Sequence, residues 1–165
     1  MGGALREFSD RVFLVEEAQE IKGSWHHIFT GGELTLVELG AGKGQFLCSM
    51  AQLHPEYRMI GVEKEPGVLL QAVRKAATLG LANLKLVLSD VEHLSSIFAP
   101  GEIDGLYIHF CDPWPKNRHA RRRLTHPDFL ASYRSRLSAT GRIFFKTDNA
   151  DLFTYSLEMF AAADM

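Results

Sequence analysis

The sequence predicts an α/β fold, an open, doubly wound and mainly parallel sheet with helices on both faces, and three observations lead there. From residue 34 to residue 160, short apolar runs alternate with amphipathic stretches at helical spacing. Breakers such as His54-Pro55, Gly80, Pro100-Gly101 and Gly141 fall between those stretches. The residues able to do chemistry gather just after the apolar runs, where sheets of this class bind their ligands.

Residues 34–39 are short and apolar enough for a buried strand, and 45–53 read as a helix that His54-Pro55 stops. Residues 58–62 make the second strand. Pro66 suits the first turn of a helix running to Leu79, with Gly80 as its C-terminal cap. Residues 84–88 give the third strand, 91–98 a short helix, and 103–110 the fourth strand. Pro127 opens a helix over 128–137, on which Phe129, Leu130, Tyr133 and Leu137 share a face. Gly141 turns the chain into a fifth strand, 142–146, and an amphipathic helix covers 152–160. Strands that alternate with helices connect as parallel units. Residues 1–30 lack this rhythm. Their acids (Glu16, Glu17, Glu20), Gly23 and aromatic-rich 25–29 read as an N-terminal arm with a short helix, packed on one domain over 31–165.

With 165 residues, 46% of them apolar, a complete core is affordable in a single domain. No apolar run approaches a membrane span, and no secretory leader is recognisable, so the expected location is cytoplasmic, with no membrane partner. Cys48 and Cys111 lie far apart without metal-ligand spacing, which fits a reducing compartment and argues against a metal site. The net charge of −2 speaks against a nucleic-acid protein, but its distribution does not. Residues 113–146 hold nine of the 18 Lys and Arg with a single acid, Asp128, so a local basic face is expected.

After the first strand comes Glu38-Leu39-Gly40-Ala41-Gly42-Lys43-Gly44, where Gly40 and Gly42 allow a tight turn and close approach of backbone to a ligand. Glu63 follows the second strand and Asp90 the third; both also suit helix capping. Glu63 is placed to accept the hydroxyls of an adenosine ribose, and Val91 beside Asp90 to bracket an adenine. A phosphate loop needs Ser or Thr after Lys43, and a dinucleotide loop has its third glycine one residue later than Gly44. Glu38 would repel a pyrophosphate. It would attract the ammonium and sulfonium of S-adenosylmethionine, so charge favours that cofactor.

After the fourth strand comes Asp112-Pro113-Trp114-Pro115-Lys116-Asn117-Arg118-His119, then Arg121, Arg122 and Arg123. Two prolines stiffen the turn that fixes Asp112 and Trp114. A carboxylate, an indole and a group of cations suit gripping a base and its phosphates, with Lys116 and Arg121–123 on the phosphates. A run of arginines on a solvated face is the plainer alternative.

With these motifs the sequence resembles the tRNA (guanine-N7-)-methyltransferases from about Gly23 to the last residue. The likeness rests on the stretch from Asp112 to Lys116 with Arg118-His119, on Phe145-Lys146-Thr147-Asp148-Asn149, and on the glycine loop. The resemblance implies a Rossmann-like S-adenosylmethionine methyltransferase fold acting on a variable-loop guanosine of tRNA. It implies that Glu38, Glu63, Asp90 and Asp112 serve the cofactor, that Lys116 and Asp148 bind substrate, and that Asp112 is catalytic. The family pattern continues past residue 160 with two more strands and a Thr-x-x-Glu motif, so the sheet is expected to lack its last two strands and strand five to have an open edge. A catalytically silent cofactor-binding fragment is therefore one rival. A methyltransferase for small molecules or protein side chains and a nicotinamide oxidoreductase are others. The sequence leaves monomer and homodimer open.

Overall fold

A computed structural model describes residues 3–165; Met1 and Gly2, the start of the expected arm, lie outside the described residues. Six parallel strands form one sheet: β1 (Val12–Leu14), β2 (Leu34–Leu39), β3 (Tyr57–Glu63), β4 (Leu84–Leu88), β5 (Ile103–His109) and β6 (Leu137–Lys146), in the order β1-β4-β3-β2-β5-β6. The helices are α1 (Gly3–Arg6), α2 (Val15–Glu20), α3 (Gln45–Leu53), α4 (Pro66–Thr78), α5 (Leu94–Ile97), α6 (Pro127–Arg136) and α7 (Ala150–Ala162). The chain builds outward from β2 through β3 to β4, then returns to lay β5 on the other side of β2. That reversal opens a crevice at the carboxyl ends of β2 and β5, the topological switch point.

Alternation along the strands supplies a core on each face. Val37, Leu39, Ile60, Val62 and Ile108 face Phe98, Leu130 and Tyr133 on one side. Leu36, Met59 and Leu86 face Leu47, Leu69 and Val73 of α3 and α4 on the other. Gly61 of β3 leaves the room that α3 needs, because a Cβ there would meet Leu47 Cδ2 and Leu86 Cδ2 at 2.7 Å and Ala41 Cβ at 2.9 Å.

Two elements differ from the sequence expectation. Residues 12–14 of the arm enter the sheet as β1, paired Val12↔Leu86 to Leu14↔Leu88, with α2 directly after it. Three residues are too few to show a strand period. The remainder of the arm is anchored as well. Trp25 is fully buried, its Nε1 donates to Ile97 O at 2.7 Å, and Glu102 accepts from the backbone N–H of Gly23 and Trp25. At the other edge, β6 begins at Leu137, where α6 ends, instead of at residue 142. Leu137 pairs with Ile103 and Arg142 with Gly105, so the intervening residues bulge. Gly141 sits in that bulge with Ile103 O only 2.9 Å from where a Cβ would be. Among the described residues β6 pairs only with β5.

Candidate functional site

The crevice is a cleft of about 660 Å³. Its wall is made by the segments that follow β2, β3, β4 and β5, so each chemical group arrives from a strand end. The first segment is the glycine loop. Gly40, Gly42 and Gly44 have φ of 69°, 59° and 79°, values that side chains rarely adopt. The N–H groups of Gly40 and Ala41 donate to Val62 O at 2.8 and 3.0 Å, which ties the loop to β3. Gly44 lets α3 start against α4; a Cβ there would lie 2.9 Å from Ala72 Cβ.

Glu63, at the end of β3, is held by both oxygens. Oε1 accepts from Gly42 N–H at 3.1 Å and Oε2 from Glu65 N–H at 2.9 Å. Each oxygen keeps a second lone pair, and Glu63 lines the cleft. Asp90 caps the short 3₁₀ turn after β4, its Oδ1 accepting from Glu92 N–H at 3.0 Å, so capping and a place on the cleft wall coexist. Glu38 differs from the other acids. It belongs to β2 rather than to the loop, is 4% exposed, and lies below the cleft wall. Its Oε1 has no hydrogen-bond partner, and its Oε2 lies 3.3 Å from His109 Nδ1. Burial, reinforced by the negative charge of Glu63, pushes its carboxyl up to about 8. A buried, half-satisfied carboxylate is costly unless a cation meets it.

Asp112 is exposed at the cleft mouth, between two residues with strained backbone: Phe110 at φ 50° and Trp114 at φ 45°. Non-glycine residues in this region cost energy and cluster at functional sites. Phe110 is 58% exposed, with its N–H bonded to Lys146 O at 2.8 Å and the Lys146 ammonium 5.5 Å from its ring centre. Cys111 beside it is pushed up to about 11 by burial, so it stays a thiol and no nucleophile.

The basic residues separate. Arg121 and Arg122 are exposed on the cleft wall, and the Arg122 guanidinium lies 4.9 Å from the Trp114 ring centre. Arg123, grouped with them in the sequence, is turned inward and 9% exposed. Its Nε and Nη2 donate to Trp114 O at 3.0 and 2.9 Å, and it stacks 4.5 Å from the Tyr155 ring centre on α7. In this structure the guanidinium braces the Asp112 loop and does not stand on the cleft wall with Arg121 and Arg122. Lys116 and Asp148 are exposed and stand outside the cleft wall. His109 and Phe110 line the cleft and were not singled out from sequence. The available signal was a polar His in an apolar strand.

A second hollow of about 470 Å³, lined by residues such as Gly31, Pro55 and Asn83, carries no ionisable side chain. Among the described residues no His, Cys, Asp or Glu cluster could hold a metal, and no helix is long and apolar enough to cross a membrane.

Residues 32–165 match the sequence profile of a family described as "Putative methyltransferase". The tRNA (guanine-N(7)-)-methyltransferase of Levilactobacillus brevis is 44% identical over 155 residues, 94% of this chain and 71% of that protein. The protein of the same name from Halalkalibacterium halodurans is 46% identical over 152 residues, 92% of this chain and 69% of its own length. Among solved structures, a precorrin-6y C5,15-methyltransferase from Geobacter metallireducens superposes with TM-score 0.64 at 19% identity, covering 87% of this chain and 68% of that one. The antibiotic-resistance methyltransferase Kmr does so with TM-score 0.55 at 21% identity, covering 74% and 66%. The structural likenesses establish the fold, a Rossmann-like methyltransferase fold; the sequence matches go further, and the chain belongs to the tRNA (guanine-N(7)-)-methyltransferase family.

Proposed function

We propose that the protein transfers a methyl group from S-adenosylmethionine to N7 of a variable-loop guanosine in tRNA. The observation that carries the cofactor is the charge pattern of the switch-point crevice: Glu38 buried with an unpartnered oxygen, Glu63 clamped to the glycine loop, and Asp90 on the third strand end. That arrangement suits a cationic ligand with a ribose and opposes a pyrophosphate. The residues present therefore fit the cofactor. Glu38 answers its ammonium end, Glu63 its ribose hydroxyls, and Asp90 with Val91 its adenine; Gly40 and Gly42 leave room for it. When bound, S-adenosylmethionine supplies an activated methyl group on a sulfonium.

The substrate reading rests on the relatives named for tRNA guanine-N7 methylation and on the basic, aromatic mouth of the cleft. Guanine N7 has a free lone pair and no proton, so no general base is needed. Asp112, held between the strained Phe110 and Trp114, instead places a fixed carboxylate where the purine gains positive charge. Orientation of N7 toward the methyl group is a further source of acceleration. Arg121 and Arg122 hold phosphates beside the cleft. Lys116 serves as a further phosphate contact, and Asp148, with Asp112, as an acceptor for the guanine N1 and N2 donors. In a free RNA duplex N7 faces a deep, narrow groove, so a base exposed in a structured loop suits this shallow approach.

The test is tRNA-dependent turnover. Unmodified tRNA transcript is expected to drive conversion of S-adenosylmethionine to S-adenosylhomocysteine, and S-adenosylhomocysteine but not NADH is expected to raise the melting temperature. Turnover indifferent to tRNA, or stabilisation by NADH alone, refutes the proposal.

A further inference from the structure

Glu38 is 4% exposed and does not line the cleft. His109 does line it, and its Nδ1 is 3.3 Å from Glu38 Oε2. The imidazole is held in place by aromatic edges. Phe46 of α3 meets it edge-on with centroids 4.5 Å apart, and Tyr107, two residues earlier on β5, does so at 5.7 Å. The ionisable groups around the pair come from four elements: Cys48 of α3, which feels the Glu38 charge, Glu63 of β3, Tyr107 of β5 and Lys146 of β6. Burial, with the Lys146 charge, holds His109 below its ordinary range, so its ring is neutral near pH 7. A neutral imidazole with its proton on Nδ1 carries its lone pair on Nε2.

We propose that His109 is a cofactor-binding residue through which Glu38 acts: Nδ1–H points at Glu38 Oε2, and the Nε2 lone pair accepts from the ammonium group at the amino-acid end of the cofactor. The proposal rests on the S-adenosylmethionine site described above and changes the role of Glu38 in it. When the cofactor's ammonium enters, the Glu38 carboxyl releases its proton to solvent, and the carboxylate so formed orients the ring through Nδ1–H and adds its charge to the ammonium site. A histidine used for packing alone would give no reason to keep a carboxylate buried beside it.

The experiment compares two ligands that differ only in that end: S-adenosylhomocysteine, which carries the amino-acid group, and methylthioadenosine, which lacks it. Calorimetric affinities are measured on the wild-type chain, His109→Phe, His109→Asn and the double variant His109→Phe with Glu38→Gln. His109→Phe keeps the aromatic packing and is expected to weaken S-adenosylhomocysteine by about 10-fold or more, the worth of a charge-assisted hydrogen bond. Methylthioadenosine should change less than about 2-fold. His109→Asn, with a donor and an acceptor, should recover most of the loss, and adding Glu38→Gln to His109→Phe should cost little more. Equal losses for both ligands, or none for S-adenosylhomocysteine, overturn the proposal. A second readout needs no variant. By NMR on the wild-type protein, S-adenosylhomocysteine should lower the His109 titration further while methylthioadenosine leaves it in place; an unmoved titration also overturns it. If the wild-type chain binds neither ligand, the cofactor site itself is refuted, which is distinguishable from binding without discrimination.

Discussion

Replacing Arg123 and Arg122 in turn separates a brace from an RNA contact. Arg123 is buried, gives two hydrogen bonds to Trp114 O at 3.0 and 2.9 Å, and stacks on Tyr155, so it links the Asp112 loop to α7. Charge-assisted hydrogen bonds are worth about 1.5–3 kcal/mol and a partly desolvated cation–π contact about 0.5–2 kcal/mol. These do not add fully, so Arg123→Ala should cost about 2–4 kcal/mol, including the carbonyl left unpaired. For a domain of this size that lowers the melting temperature by roughly 5–15 °C. Arg123→Lys should recover only part of it, because an ammonium lacks the planar fork. Arg122 is exposed, and Arg122→Ala should shift stability by less than about 0.5 kcal/mol. Its effect should appear in tRNA affinity, with the slope of log affinity against log salt falling by about one. Thermal melts and salt-dependent tRNA binding on the same preparations provide the assay. If Arg123→Ala melts with the wild type and loses salt slope as Arg122→Ala does, Arg123 meets RNA and the brace is wrong.

Other perturbations test the interior and the chemistry. The Glu38 carboxyl is raised to about 8 in the folded chain from an ordinary 4.5, so the native state keeps a proton that the unfolded state releases. Its contribution to stability is present below pH 4.5 and is lost as pH rises to about 8. Glu38→Gln should therefore resist urea better than the wild type at pH 8.5, with no such gain at pH 4.5; a gain that is equal at both pH values contradicts the burial argument. Asp112→Ala should lower turnover by about 100-fold or more while S-adenosylhomocysteine binding persists. Near-normal turnover would remove the electrostatic role assigned to it. Gly61→Ala drives a methyl group into Leu47, Leu86 and Ala41 and should destabilise by about 1–3 kcal/mol, measured by urea denaturation. An unchanged midpoint would mean that α3 moves freely away from β3.

The sequence revealed the elements whose signal is local. Each strand from β2 to β5 is five to seven residues of mostly apolar side chains, and breakers mark their ends. β1 escaped because three residues carry no period, and the early start of β6 because no breaker separates Leu137 from α6. Gly40, Gly42, Glu63, Asp90 and Asp112 could be singled out because strand ends are where such sheets present chemistry. The direction of each arginine in 121–123 depends on how a 3₁₀ turn seats on the domain, which residue type does not reveal. The Glu38–His109 contact was hidden for another reason. It joins strands far apart in sequence, and only the return of β5 to lie beside β2 brings them together.

The central claim is methyl transfer to guanine N7, and nucleoside analysis of the RNA product tests it most directly. The chain is incubated with labelled S-adenosylmethionine and either unmodified tRNA transcript or the same transcript with its variable-loop guanosine changed to adenosine. The account predicts labelled 7-methylguanosine from the first RNA and none from the second. Label in another nucleoside, or equal label in both RNAs, would contradict it.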